Sequence, residues 1–137
     1  MSRSRLLRLE ASAHLVAARL AVRLLPYRVL TRLFELSSRR PEFTGSERAR
    51  ICLDVRSAVE GASRRLPGSV CLPRALAAQA MLRRRGITTT LYLGVARSPA
   101  APHPSHAWLK DGELGVAGTR ASGDYHAVAS YSAKGAG

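Results

Sequence analysis

The hydrophobic pattern changes its period at Gly86, and this change restricts the class of fold open to the chain. Before Gly86, apolar residues recur at helical spacing with charged residues between them. After it, residues 87–95 alternate and are rich in β-branched side chains, which is typical of a strand. Helices that precede a group of short strands indicate an α+β arrangement. The 137 residues are enough for one domain with a modest core.

Residues 1–40 are predicted to form a helical hairpin rich in Leu and Arg. The first helix carries an apolar stripe at helical spacing: Leu6, Leu9, Ala13, Leu20 and Leu24. A basic side accompanies it: Arg5, Arg8, Arg19 and Arg23. Pro26 ends this helix, and a second is expected from Tyr27 to Leu36. The hairpin is either a packing layer for residues 41–137 or a docking surface for a partner protein or a membrane.

Two further helices are expected between this hairpin and Gly86. Residues 44–47 resemble a capping box, with a Thr as N-cap. In the helix that follows, Cys52 lies beside the apolar face, has no histidine near it in sequence, and is interpreted as a buried structural thiol. The next helix is expected over 72–85, and Cys71 opens it.

A short antiparallel sheet is expected after Gly86. Strands are predicted over 87–95, 105–110, 113–117 and 126–131. Asp111 and Gly112 are predicted to form the hairpin turn between the second and third strands, and 118–123 to form a loop.

The charge balance of the chain is strongly basic. There are 22 Lys and Arg residues against 9 Asp and Glu residues, which gives a net charge of +13, and nearly all of the cations are arginines. Such an excess favours an anionic partner, although arginines on solvated helix faces would produce the same composition. The three consecutive arginines at 83–85 are explained by their place at a helix C-terminus, where the helix dipole favours cations.

Neither a metal site nor a cofactor is predicted. The two cysteines form no CxxC pair, and no Cys/His spacing resembles a zinc site. The N-terminus lacks the pattern of a signal peptide. The longest apolar run, residues 15–25, is interrupted by arginines and is too short to span a bilayer. We therefore expect a cytoplasmic protein with reduced thiols.

Cys71 and His106 are the candidate catalytic pair. A thiol at a helix N-terminus lies near unpaired N–H groups and the positive end of the dipole, both of which favour a thiolate. A base is expected on an adjoining rigid element, and His106 lies on the strand that also carries Trp108. By alternation, His106 and Trp108 are expected to face the helix of Cys71, with Ala107 pointing away. His126 is a weaker candidate for the base.

The ordered set of these motifs resembles a known family. Cys71-Leu72-Pro73-Arg74-Ala75-Leu76 is followed by Leu82-Arg83-Arg84-Arg85-Gly86, Leu93-Gly94-Val95 and His106-Ala107-Trp108-Leu109. A helix-opening Cys followed by a His-bearing strand is similar to the core of transglutaminase-like (papain-like) cysteine enzymes. More closely, the set resembles the leader peptidases, or B proteins, of lasso peptide biosynthesis, in their stand-alone form.

The resemblance implies a fold, an activity and partners. The fold would be N-terminal helices followed by a papain/transglutaminase-like core, residues 41–137, with the Cys-bearing helix packed on a short antiparallel sheet. The activity would be removal of the leader from one precursor peptide, with Cys71 as nucleophile and His106 as base and acid. The partners would be that precursor, a separate leader-recognition protein and an ATP-dependent cyclase. No nucleic acid is expected, because groove-reading motifs and exposed aromatic platforms are missing from the sequence.

The third member of a catalytic triad is the point where the sequence departs from the family pattern. The family fold implies an acidic or amide residue shortly after the His, and the strand 113–117 ends without one. Asp124 is the first candidate, Asp111 the alternative, and Glu113 a weaker one. A Cys–His dyad whose imidazole is oriented by a backbone carbonyl is also open.

Two other classes of function remain open on the sequence alone. An amidase or acyltransferase of the same fold would use the same Cys71 and His106 with a different acceptor. A non-enzymatic basic helical protein that binds nucleic acid or anionic lipid would explain the net charge and the amphipathic N-terminus.

Overall fold

The computed structural model describes residues 3–34, 45–66 and 71–132. Its helices are α1 (Arg3–Leu24), α2 (Tyr27–Phe34), α3 (Gly45–Arg65) and α4 (Cys71–Arg84). Its strands are β1 (Thr90–Ala96), β2 (Ser105–Asp111), β3 (Leu114–Ala117) and β4 (Tyr125–Ser132), with a 3-10 helix at Thr119–Asp124. The predicted α+β class is confirmed. Thr44, the expected N-cap of α3, lies outside the described residues.

The strands form one antiparallel sheet in the order β3-β2-β1-β4. β1 pairs with β2 along its length, from Thr90 opposite Lys110 to Val95 opposite Ser105. β3 reaches only the second half of β2, because its pairing stops at Leu109 opposite Ala117. Residues 105–108 of β2 therefore have a free edge on the β3 side among the described residues.

The helices cover one face of this sheet. Leu91, Ala107 and Leu109 are at most 2% exposed and share a core with α4 residues such as Ala75 and Leu82. Small side chains on α4 let its backbone approach the sheet closely. The first turn of α4 is thereby placed against β2, where the free edge begins.

Several predicted boundaries shift for local reasons. β1 begins at Thr90 rather than Ile87, because the residues directly after α4 form the cap of that helix. The N–H of Gly86 donates to Arg83 O at 3.0 Å, and that of Ile87 to Leu82 O at 2.9 Å, a Schellman motif. The hairpin turn lies one residue later than predicted, since Asp111 still pairs with Leu114. The expected loop over 118–123 contains the 3-10 helix.

The apolar stripe of α1 faces solvent, which the periodicity alone did not indicate. Its leucines are more than half exposed: Leu6, Leu9, Leu20 and Leu24. The face that packs on α3 and α4 instead carries Ala11, Leu15 and Ala18. Glu10 on this helix also binds Arg85 through two hydrogen bonds, of 2.6 and 2.9 Å.

The division of the chain near residue 40 stays a prediction, but α1 shares the core of the residues that follow it. None of the helices in residues 3–34, 45–66 and 71–132 combines the length and the apolarity that a bilayer span requires.

Candidate active site

The Cys71 thiol lies at the free edge of β2. Cys71 is the first residue of α4, and its Sγ accepts a hydrogen bond from the backbone N–H of Ala107 at 3.3 Å. If β3 were longer, one of its backbone carbonyls would accept the hydrogen bond from this N–H. Here the sulfur accepts it instead. Such a donor interacts more strongly with a thiolate than with a thiol.

The His106 imidazole is anchored at the same edge by a backbone carbonyl. Its Nε2 lies 2.7 Å from Gly118 O. Because a carbonyl oxygen can only accept, Nε2 carries a proton and donates it. In the neutral ring, Nδ1 is then the nitrogen with a free lone pair, so it is the atom that can accept a proton from a thiol.

The Cys71 thiol is bound to the backbone of β2 directly after His106. The peptide nitrogen that donates to Cys71 Sγ joins His106 to Ala107, and Nδ1 is the ring nitrogen nearer to this backbone. No hydrogen bond links the sulfur to the imidazole in the described part of the chain. Nucleophile–base contacts are often long in enzymes without substrate, so the pairing is compatible with catalysis.

Two aromatic rings hold the orientation of the imidazole. His106 stacks on Tyr125 with centroids 4.9 Å apart, and on Trp108 with centroids 5.9 Å apart. Trp108 stacks in turn on Tyr92. Gly94 makes room for this column, because a Cβ there would lie 2.8 Å from the Trp108 ring. Stacking on these two rings therefore restricts the plane of the His106 imidazole.

The expected orientation of β2 is wrong, although its alternation is confirmed. Ala107 and Leu109 lie in the core shared with α4, whereas Trp108 lies on the opposite face with His106 and Tyr92. The alternation does not predict which face the helices cover, because the side chains on both faces of β2 have substantial apolar surface. His106 therefore lies on the face opposite α4, and its imidazole borders the free edge of β2.

The structure brings none of the three candidate acids into hydrogen-bond contact with His106. Asp111 lies at the other end of β2, about 16 Å away along the strand at ~3.3 Å per residue. Its carboxylate binds Arg48 of α3 through two hydrogen bonds of 2.8 Å. Asp124 is exposed at the end of the 3-10 helix, and Glu113 is exposed in the hairpin turn.

The Asp111–Arg48 pair is a structural contact between α3 and β2. The hydrogen bond that Arg48 donates to Asp111 is the main cause that raises the pKa of the Arg48 guanidinium. Arg48 also donates to Thr88 O at 3.2 Å, so it ties the start of β1 to α3. The position that the family pattern gives to an acid beside His106 is occupied here by the Gly118 carbonyl.

Cys52 lies near Asp111, at the end of β2 opposite to the one where the Cys71 thiol binds. Its side chain is 1% exposed, and its Sγ lies 3.6 Å from Asp111 Oδ2. Burial, followed by the negative charge of Asp111, raises the pKa of the Cys52 thiol to about 12. A thiol that stays protonated in this way is a poor nucleophile, which agrees with its interpretation as structural. His126, the weaker candidate base, is exposed on β4.

Two residues of the site were missed by the sequence analysis. Tyr125, which is 2% exposed, gave no signal beyond being an aromatic at a strand start. Gly118 had a signal, since a glycine follows a strand at the place where an acid was sought. Its φ of +68° is a left-handed conformation that favours glycine. Every residue has a backbone carbonyl, so the sequence alone could not show that the one of Gly118 accepts a hydrogen bond from His106.

A strand-borne imidazole beside a helix-opening thiol is the arrangement of enzymes that transfer acyl groups through a cysteine. The sequence model of the transglutaminase-like superfamily matches residues 13–130. The chain therefore belongs to this superfamily, whose members are generally cysteine peptidases or acyltransferases. No curated protein and no solved structure matches the chain.

Proposed function

We propose that this protein is a cysteine peptidase that removes the leader from a ribosomally made lasso peptide precursor. The observation that carries the chemistry is the placement of Cys71 Sγ and the His106 imidazole at one free strand edge, with Nε2 engaged and Nδ1 available. The choice of substrate is supported by the resemblance of the segment from Cys71 to Leu109 to stand-alone leader peptidases.

The reaction proceeds through a thioester. His106 Nδ1 takes the thiol proton as Cys71 Sγ attacks the scissile carbonyl carbon. The C–N bond then breaks, the imidazolium gives its proton to the leaving amine, and the leader remains bound as an acyl group on sulfur. Water, deprotonated by the same imidazole, hydrolyses the thioester and releases the leader acid and the free thiol.

The backbone supplies the groups that support this cycle. The Cys71 N–H, at the start of α4, is a donor for the oxyanion that forms on the carbonyl. The Gly118 carbonyl stabilises the imidazolium and fixes its tautomer, the role that an acid has in a triad. The unit is therefore a Cys–His dyad with a carbonyl as the orienting group.

The partners follow from the proposed reaction. A separate leader-recognition protein delivers the precursor, and an ATP-dependent cyclase consumes the freed amine in the cytoplasm. The exposed stripe of α1 is the surface that we assign to the leader-recognition protein. Seven apolar side chains along this helix are exposed, and no element among the described residues covers them: Leu6, Leu9, Ala13, Val16, Ala17, Leu20 and Leu24.

Mass spectrometry of the precursor incubated with this protein and its leader-recognition partner tests the function. Leader and core masses should appear, and Cys71→Ala or His106→Ala should lower the rate at least about a thousandfold. Cys52→Ala should leave the rate largely intact, because the Cys52 thiol is buried and protonated. Cleavage that survives in Cys71→Ala contradicts the mechanism.

The same assay separates the rival functions. If an added amine appears in the leader product in place of water, the protein is an acyltransferase of the same fold. If Cys71→Ala retains full biological function while the protein binds nucleic acid with a steep salt dependence, the basic-protein interpretation replaces the enzymatic one.

A further inference from the structure

A cavity of about 370 Å³ opens beside His106, at the free edge of β2. Its walls come from α3, from the first turn of α4, and from the end of β3 with the start of the 3-10 helix. Because the imidazole forms part of the wall, a group held in this cavity lies close to the bond that the thiol attacks.

The cavity has a strong excess of positive charge. Four arginines line it against one acid, Glu60. Arg56 is engaged, because it donates to Glu60 Oε1 and to Gly115 O, each at 3.4 Å. Arg64, Arg74 and Arg120 form no ion pair with a carboxylate in the described part of the chain. An unneutralised group of cations in a concave site attracts anions.

Arg74 is the residue whose placement most needs an explanation. Its Nε is buried and has no hydrogen-bond partner among the described residues, which is a costly state for a charged donor. Arg74 also lies in the first turn of α4, where a cation opposes the helix dipole. Neither local packing nor helix stability therefore accounts for it, whereas an anion bound in the cavity would offset the charge of the guanidinium.

We propose that this cavity binds the carboxylate of an acidic side chain of the peptide substrate, close to the cleaved bond, with Arg74 as its main partner. A guanidinium offers two parallel N–H donors that match the two oxygens of a carboxylate. Arg74 follows Cys71 by three residues, so the two side chains are neighbours on the surface of α4. Arg64 and Arg120, both exposed at the rim, steer the acid into place. The proposal rests on the proposed peptidase function for the nature of its ligand.

Charge-selective alkylation of Cys71 tests the site without any precursor. The probes are N-iodoacetyl-β-alanine and its primary amide, which differ in one carboxylate. The acid should alkylate Cys71 about fivefold faster than the amide, relative to the same ratio for N-acetylcysteinamide, the size expected for one close charge pair. Intact-mass measurement follows the rate, and Cys52, being buried, should remain unmodified.

The decisive comparison is between two variants of equal net charge. Arg74→Gln should abolish the preference for the acid, whereas Arg28→Gln, on α2 at the other edge of the sheet, should retain it. Higher ionic strength should reduce the preference in the wild type. Equal rates for both probes, or a preference that survives in Arg74→Gln, would overturn the proposal. Thermal unfolding of Arg74→Gln checks that the fold is intact.

A second readout identifies the recognised residue in the precursor. Acidic residues near the cut are replaced one at a time by their amides, and kcat and KM are measured with wild type and with Arg74→Gln. One replacement should raise KM in the wild type and have no further effect in Arg74→Gln. If no replacement behaves in this way, the cavity does not select the substrate. Failure of cleavage in general would instead count against the peptidase function, and the alkylation result would be unaffected.

Discussion

Gly118 holds the imidazole of His106, the proposed base, although it has no side chain. Its carbonyl accepts a hydrogen bond from His106 Nε2, and its left-handed conformation points that carbonyl at the ring. A Cβ at Gly118 would lie 2.6 Å from Ala107 O and 3.2 Å from His106 Nε2. The same residue thus determines which ring nitrogen of His106 carries the proton.

Gly118→Ala should therefore impair the site more than the fold. Both Gly118→Ala and its control, Gly112→Ala, place alanine at a φ near +60°, which costs ~1 kcal/mol in the free energy of unfolding. Gly118→Ala should cost more than this, because its Cβ would also lie 2.6 Å from Ala107 O, so kcat is compared at a temperature where both variants are folded. A Cβ at Gly112 meets nothing within 4 Å, so that variant should keep its cleavage rate. Gly118→Ala should lose at least about tenfold in kcat, since His106 is displaced. Equal kcat values in the two variants would contradict the role of the Gly118 carbonyl.

The candidate acids can be separated by comparing stability with activity. Asp111→Asn should lower the free energy of unfolding by ~1–3 kcal/mol, because it leaves the part-buried Arg48 without its carboxylate. The cleavage rate at a temperature where the protein is folded should change little. Asp124→Asn, at an exposed position, should alter neither quantity measurably. A large loss of kcat in either variant, without loss of stability, would identify the third member of a triad.

At the scale of elements, the sequence predicts those features that depend on local patterns. The helices, the strands and the places of Cys71 and His106 on them follow from period, caps and turn residues. The order β3-β2-β1-β4 does not, because pairing between strands distant in sequence is decided by the packed core. The free edge of β2 depends on the shortness of β3, so the placement of the Cys71 thiol and the His106 imidazole at this edge could not be predicted.

The apolar stripe of α1 shows the same limit in a single helix. A period of 3.6 predicts that a helix has an apolar face, but not that this face is the buried one. Here the packed face uses Ala11, Leu15 and Ala18, and the leucine stripe is left to solvent. An exposed stripe of this length on a helix marks an interaction surface.

Changes on this stripe should weaken the complex with the proposed leader-recognition protein and leave the fold unchanged. Leu9→Glu and Leu20→Glu are each expected to raise the Kd at least about tenfold, since they place a charge in the apolar interface. Reversing the charge of Arg19 and Arg23 tests the basic flank in the same way. Titration calorimetry measures the Kd, and thermal unfolding is the control. Unchanged binding, with loss of binding to anionic vesicles, would assign the stripe to a membrane.

At the scale of the whole molecule, α1 is joined to the catalytic core by both apolar and ionic contacts. Leu15 is fully buried between α1 and its neighbours, and Glu10 binds Arg85 directly after α4. The hydrogen bond from Arg85 lowers the pKa of the Glu10 carboxyl below its ordinary value of 4.5. The contribution of this pair to stability is therefore present above pH 4.5 and is lost as the pH falls below it.

Residues 41–137 alone should consequently be much less stable than the whole chain. Leu15→Ala isolates the apolar part of the effect and should cost ~2–4 kcal/mol in the free energy of unfolding. Leu9→Ala, the same change at a position 58% exposed, should cost no more than ~0.5 kcal/mol. Chemical denaturation followed by circular dichroism measures all three. If the 41–137 chain unfolds at the same denaturant concentration as the full chain, or if Leu15→Ala equals Leu9→Ala, α1 is an appendage. In that case the positions of α4 and of its thiol do not depend on the N-terminal helices.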